Sequence, residues 1–208
     1  MAKISDDGMV RLGDVADVWV GMATVRKEGG DALDFPVVQV GDIDDRTGVV
    51  RPLADLNRAS LSSKAGVDRY LVQNGDVVVS CKGTLLKIGL IEDQTVGALA
   101  TSNLVVVRSK GLVTVKTLFL VLQSEGAKRI LRGRQKAGST IASLSYRDIQ
   151  TFQFRLPSQE CQVKIAAVSD ANREFVELTQ KAMKTREELV QGLIERAFWG
   201  DSAVRGGV

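Results

Sequence analysis

Histidine is absent from all 208 residues. That removes Ser-His-Asp and Cys-His nucleophile pairs, the commonest metal ligand, and the side chain most often used as a general base near neutral pH. Cysteine is nearly absent too: Cys81 and Cys161 stand alone, with no second pair near either, so neither a disulfide framework nor a zinc site is indicated. No G-x-x-x-x-G-K-[ST] run is present to cradle phosphates. The opening MAKISDDGMVRLGDV lacks an apolar signal core, and the most apolar short run, Leu118 to Leu122, falls far below the ~20 residues of a membrane span. A cytoplasmic protein without membrane contact is therefore expected. Asp42, Asp44 and Asp45 in VGDIDDRTG come nearest to a metal loop, but they lack the glycine and glutamate placement of a calcium loop. An aspartate-rich turn between two strands is expected there. Nothing in these absences favours an enzyme acting alone.

What is present fits one ordinary core: 44% hydrophobic and 25% charged residues are typical of a globular chain, and no internal repeat divides it. Val18 to Gly21, Phe35 to Val40, Val77 to Cys81, Lys87 to Ile91 and Leu104 to Arg108 carry the apolar, β-branched content of strands, with glycine, asparagine and aspartate between them. Val115 to Leu131 reads as one helix with Leu118, Leu122 and Ile130 on a common face. Thr151 to Leu156 alternates Phe152 and Phe154 with polar neighbours, as in a half-buried strand; Pro157 ends it and Ser158 can cap a helix. The expected class is α+β: a strand-rich domain with short helices over 1–156, one long coiled-coil helix over 157–199, and a flexible tail over 200–208.

From Ser158 to Trp199 there is no proline and one glycine, Gly192. At ~1.5 Å per residue this makes a rod about 60 Å long, more than its own small domain can cover. Ile165, Val168, Phe175, Ala182, Leu189 and Leu193 form a heptad stripe interrupted by Asn172, Thr179 and Arg186. An imperfect seam of this kind suits a coiled coil whose polar positions fix register and strand number, so these six residues are the expected helix-pairing interface.

A net charge of +3 is too weak by itself to announce nucleic acid; the position of the charges is more telling. Lys128, Arg129, Arg132, Arg134 and Lys136 fall in KRILRGRQK without an intervening acid. Cations at a helix carboxyl end complement its dipole, but Arg134 and Lys136 lie past Gly133, in the loop leading to Gly138, Ser139 and Thr140. Contact with a phosphate backbone accounts for them better.

LGDVADVWVG from Leu12, FPVVQVGDIDDRTG from Phe35, NGDVVVSCKGTLLKIGLI from Asn74, ATSNLVVVRS from Ala100, GSTIASLSYRDIQTFQFRLP from Gly138 and the helix start QVKIAAV from Gln162 occur in an order that resembles the specificity subunit of type I restriction-modification systems. The resemblance covers nearly the whole chain. It departs from the family pattern at Cys161, where glutamate is common, so a capping carboxylate is missing from the first helical turn. Specificity subunits usually carry two recognition units; one is present here.

The resemblance implies a target recognition domain that reads one half of a bipartite DNA site, followed by a spacer helix. Two copies pairing their helices about a two-fold axis would supply both halves as a homodimer; a second, different half-length subunit would serve equally. Catalysis would belong to partners: an adenine methyltransferase subunit using S-adenosylmethionine and an ATP- and magnesium-dependent translocating restriction subunit, with no cofactor in this chain. Two loops are then expected against the double-stranded DNA. One holds Ser80, Lys82 and Thr84 with Lys87; the other runs from Arg134 through Lys136 to Ser139 and Thr140. Glycines allow close backbone approach, hydroxyls and amides bind phosphate, and Lys82 or Arg134 can read guanine in the major groove. A coiled-coil scaffold without a nucleic-acid partner, or a decoy half-subunit, remains an alternative.

Overall fold

In the computed structural model the described residues are 8–23, 33–61, 66–83, 86–135 and 143–200. The chain divides into two units, Met1–Gln162 and Val163–Val208, so the division falls inside the last helix, past the Pro157 junction. In chain order the elements are β1 (Met9–Arg11), α1 (Leu12–Val15), β2 (Ala16–Val20), β3 (Leu33–Val38), β4 (Arg58–Leu61), β5 (Val77–Ser80), β6 (Ile88–Leu90), β7 (Leu99–Ala100) and β8 (Leu104–Ser109). They are followed by α2 (Val115–Gln123), α3 (Glu125–Gly133), α4 (Tyr146–Gln150), β9 (Gln153–Arg155) and α5 (Gln159–Trp199), with short 3-10 turns between the strands.

The centre is a four-stranded antiparallel sheet in the order β2-β8-β5-β6. Its middle strands, VVVS and LVVVRS, are runs of β-branched residues rather than alternations, and both their faces are buried. Val77, Val79, Val105 and Val107 join Leu118, Leu122, Leu131, Ile149 and Phe152 under the helices. On the other face Val78, Leu104 and Val106 meet Val38, Ile43, Val50 and Ile91. A second sheet, β4-β3-β7, adds a smaller cluster around Val37, Leu61 and Leu99. β1 pairs with β9 in register Val10↔Phe154, and Phe152 stacks on Phe154 with ring centroids 6.1 Å apart.

Asp76 is buried in this framework, and burial of a bare carboxylate would be costly. Arg108 answers it with two hydrogen bonds of 2.7 Å, from Nε and Nη2, and the Gln73 amide adds a third at 2.8 Å.

The structure corrects two sequence expectations. Val115 to Leu131 is not one helix: the chain breaks at Ser124, whose extended ψ of 145° ends α2. The Ser124 hydroxyl accepts the Ala127 amide at 3.2 Å, so one residue terminates α2 and caps α3. The strand expected over Thr151 to Leu156 is shorter, because α4 occupies the chain as far as Gln150 and Thr151 closes its last turn.

α5 begins at a serine cap, with Ser158 Oγ accepting the Cys161 amide at 3.3 Å. Gln162 holds the first turn. Only 2% exposed, its Oε1 accepts the Thr114 amide at 2.8 Å while Nε2 donates to the carbonyls of Pro157 (3.2 Å) and Leu112 (3.4 Å). At the far end Gly200 takes φ 71°, the left-handed conformation that glycine supplies to stop a helix. Within the second unit all six residues of the heptad stripe are exposed, including Phe175 at 68% and Leu189 at 63%. Leu178, Met183, Val190 and Ile194 are exposed as well, so the apolar face is broader than the heptad stripe alone. Among the described residues no helix is long and apolar enough to cross a membrane.

Candidate nucleic-acid interface

Pairing within the first unit draws together two loops that lie far apart in sequence. Beyond β5, Lys82 forms an antiparallel bridge with Ser143, and the Leu144 amide donates to the Cys81 carbonyl at 2.8 Å. From the other side, Arg134 Nη1 donates to the Asp148 carbonyl at 2.6 Å and to Thr151 Oγ1 at 3.3 Å. Arg134 caps the end of α3 and reaches the carboxyl end of α4, while Lys82 pairs with the segment entering α4. Lys82 and Arg134, the described parts of the two expected loops, are therefore each tied to α4 or to the segment that enters it.

α4 has its own local cause. Ser145 and Asp148 form a capping box: the Ser145 side chain accepts the Asp148 amide at 3.2 Å and Asp148 Oδ2 accepts the Ser145 amide at 2.9 Å. Ile149 anchors the helix in the core, which leaves Tyr146 and Arg147 exposed. Their hydrogen bond, Arg147 Nε to Tyr146 Oη at 3.5 Å, raises the Arg147 pKa. This Tyr-Arg pair was missed in the sequence, although the S-x-x-D box that builds its helix was legible there.

Each expected DNA-binding residue has a definite place or falls outside the described residues. Lys82 is exposed and precedes Gly83, whose φ of 108° admits glycine with little strain. Arg134 is half-buried, with part of its guanidinium committed to α4. Ser80 is 2% exposed and its hydroxyl accepts the Lys87 amide at 2.8 Å. The Lys87 side chain is 16% exposed, and its ammonium ion lies 2.8 Å from Asp45 and 3.2 Å from the Ile43 carbonyl. Ser80 and Lys87 thus brace the β5-β6 hairpin against the aspartate turn. Thr84, Lys136, Ser139 and Thr140 lie outside the described residues.

The adjoining cations of α3 differ in how far they are neutralised. Lys128 and Arg132 both approach Glu125, at 3.3 and 3.9 Å, whereas Arg129 is exposed on the same helix. Cys81, beneath the Lys82 loop, has its thiol pKa raised by burial, which keeps it in the uncharged form.

Fold and surface together define a class: an α+β module that gathers cationic side chains and tight turns on one short helix and continues into a long helix with an exposed apolar face. The chain matches the family model of the type I restriction modification DNA specificity domain over residues 5–185, and it belongs to that family. Among solved structures it is similar to the HsdS subunit from Thermoanaerobacter tengcongensis, with 22% identity and a TM-score of 0.57 over 93% of this chain and 50% of that one. It is also similar to the type I restriction-modification S subunit from M. genitalium, with 14% identity and a TM-score of 0.58 over 97% of this chain and 49% of that one. A third match, at 20% identity and a TM-score of 0.60 over 96% of this chain and 48% of that one, comes from a study of complex assembly and conformational transition of the type I R-M system. These likenesses are of fold, and the chain spans about half the length of the structures it matches. Comparison with curated proteins yields no match.

Proposed function

We propose that this chain reads one half of a bipartite double-stranded DNA site and directs a methyltransferase subunit and an ATP-dependent restriction subunit to it. The observation that carries this reading is that Lys82 and Arg134 are each tied to α4 or to the segment that enters it, because this gives one surface both a lysine free to approach a duplex and the entry to the cationic loop. Arg129 and Arg147 extend the same chemistry along α3 and α4. The internal commitments of Ser80 and Lys87 assign them to shaping the hairpin, so direct contact is proposed for Lys82, for Arg134 and for the loop with Lys136, Ser139 and Thr140. S-adenosylmethionine, ATP and magnesium belong to the partner subunits. The exposed face of α5 pairs with a second copy, as a homodimer that presents two inverted reading surfaces.

Duplex binding measured against salt tests the surface. Lys82→Ala and Lys136→Ala should weaken binding to all sequences about equally and lower the salt slope by roughly one unit each, whereas loss of a base-reading residue relaxes one position of the site. Arg134→Ala needs its unfolding midpoint measured alongside, since it also removes the link to α4. Unchanged binding in the triple variant would remove this surface from consideration. In the assembled complex, methylation of a palindromic bipartite site supports the homodimer, and an asymmetric site points to a different second subunit.

A further inference from the structure

The edge strand β2 and the 3-10 turn Asp68–Tyr70 enclose an open cleft of about 430 Å³ lined by Trp19, Val20, Arg69, Tyr70 and Arg108. We propose that this cleft binds a single nucleotide with its base unstacked, either free or within a DNA strand.

Two planar plates form its walls. The Arg108 guanidinium lies over the Trp19 ring at 5.0 Å from the centroid, and that of Arg69 over the Tyr70 ring at 4.6 Å. The two arginines differ in charge balance. Arg108 is held by Asp76 through paired 2.7 Å bonds and serves as a fixed flat surface. Arg69 is exposed, and its hydrogen bond goes to the Tyr70 hydroxyl at 2.7 Å, with no carboxylate partner among the described residues. It keeps a full positive charge beside an aromatic face, which is the pairing that a phosphate and a base require together.

The cleft lies in the size range of small-ligand pockets and holds one nucleoside, not a base-paired stack, which is why the base must be unstacked. Val20 supplies the aliphatic contact, and the aromatic and guanidinium planes favour a flat heterocycle over a flexible chain.

The test uses the full chain with Trp199→Phe, which leaves Trp19 as the single tryptophan reporter, titrated with deoxynucleoside monophosphates, a short single-stranded oligonucleotide and the matching duplex. Saturable quenching by the monophosphates assigns the site to free nucleotides; quenching by the single strand alone assigns it to DNA. In either case Tyr70→Ala should weaken the response by roughly tenfold or more, Tyr70→Phe should restore stacking, and the surface substitution Arg69→Gln should weaken it without loss of folding. No response to either ligand, or a response that Arg69→Gln and Tyr70→Ala both leave unchanged, would overturn the proposal. A duplex that quenches as strongly as the single strand would overturn the requirement for an unstacked base. Lys82→Ala and Lys136→Ala should lower duplex affinity, whereas Arg69→Gln and Tyr70→Ala should act on the Trp19 signal with monophosphates, so the cleft and the DNA-reading surface can fail separately.

Discussion

At the scale of residues, the polar side chains that matter most are the ones removed from water. Gln162 illustrates it: an amide can accept and donate at once, and it uses both capacities on three backbone groups around the start of α5. Gln162→Leu keeps the volume and strands the Thr114 amide and two carbonyls, so urea unfolding should show a loss of about 2 kcal/mol. Asp44 acts at the surface instead, where its Oδ1 accepts the Arg46 and Thr47 amides at 3.0 and 2.7 Å and the Thr47 hydroxyl at 2.8 Å. Hydrogen bonding, led by the Thr47 amide, lowers its pKa below the usual 3.8. The folded state therefore gains from the ionised form above that value and loses the gain as pH falls through the depressed pKa. Acid unfolding followed by circular dichroism should show a shallower decline for Asp44→Ala than for the parent chain below about pH 4.

At the scale of elements, Ser124 is the most exposed point of failure, since α2 ends and α3 starts on it. Ser124→Ala should cost about 1 kcal/mol in chemical denaturation, and Ser124→Asp should recover most of it by capping α3 again. The same residue shows what sequence reading can and cannot reach. Ser124-Glu125-Gly126 spells a helix start, but the apolar spacing of Leu118, Leu122 and Ile130 continues across it and conceals the break. The valine runs of β5 and β8 were legible because β-branched residues buried on both faces leave little else for them to form. β1, β4 and β7 are short pieces whose partners lie far along the chain, and no local pattern marks them. For the candidate surface, charge and glycine identified Lys82 and Arg134. The Lys82–Ser143 bridge and the Lys87–Asp45 ion pair, which decide which lysine is available, exist only once the chain is folded.

At the scale of the whole molecule, two modules obey different stabilising rules. The first unit buries its apolar residues internally; the second carries Phe175, Leu178, Leu189 and Leu193 in the open. Aspartate at Phe175 and Leu189 would place charge in the proposed pairing seam, so sedimentation of Phe175→Asp with Leu189→Asp should give monomer. A dimer that survives both changes would locate self-association elsewhere. The Gln162 anchor also sets a time axis along the helix. An isolated helix opens and closes readily unless something outside it resists, and here resistance is supplied at Gln162, close to its amino end. In a lone subunit, amide deuterium uptake should be slow near Gln162 and quicken toward Trp199. Assembly would then register as a front of protection advancing from the anchored turn to the far end, a record of partner engagement that needs no label.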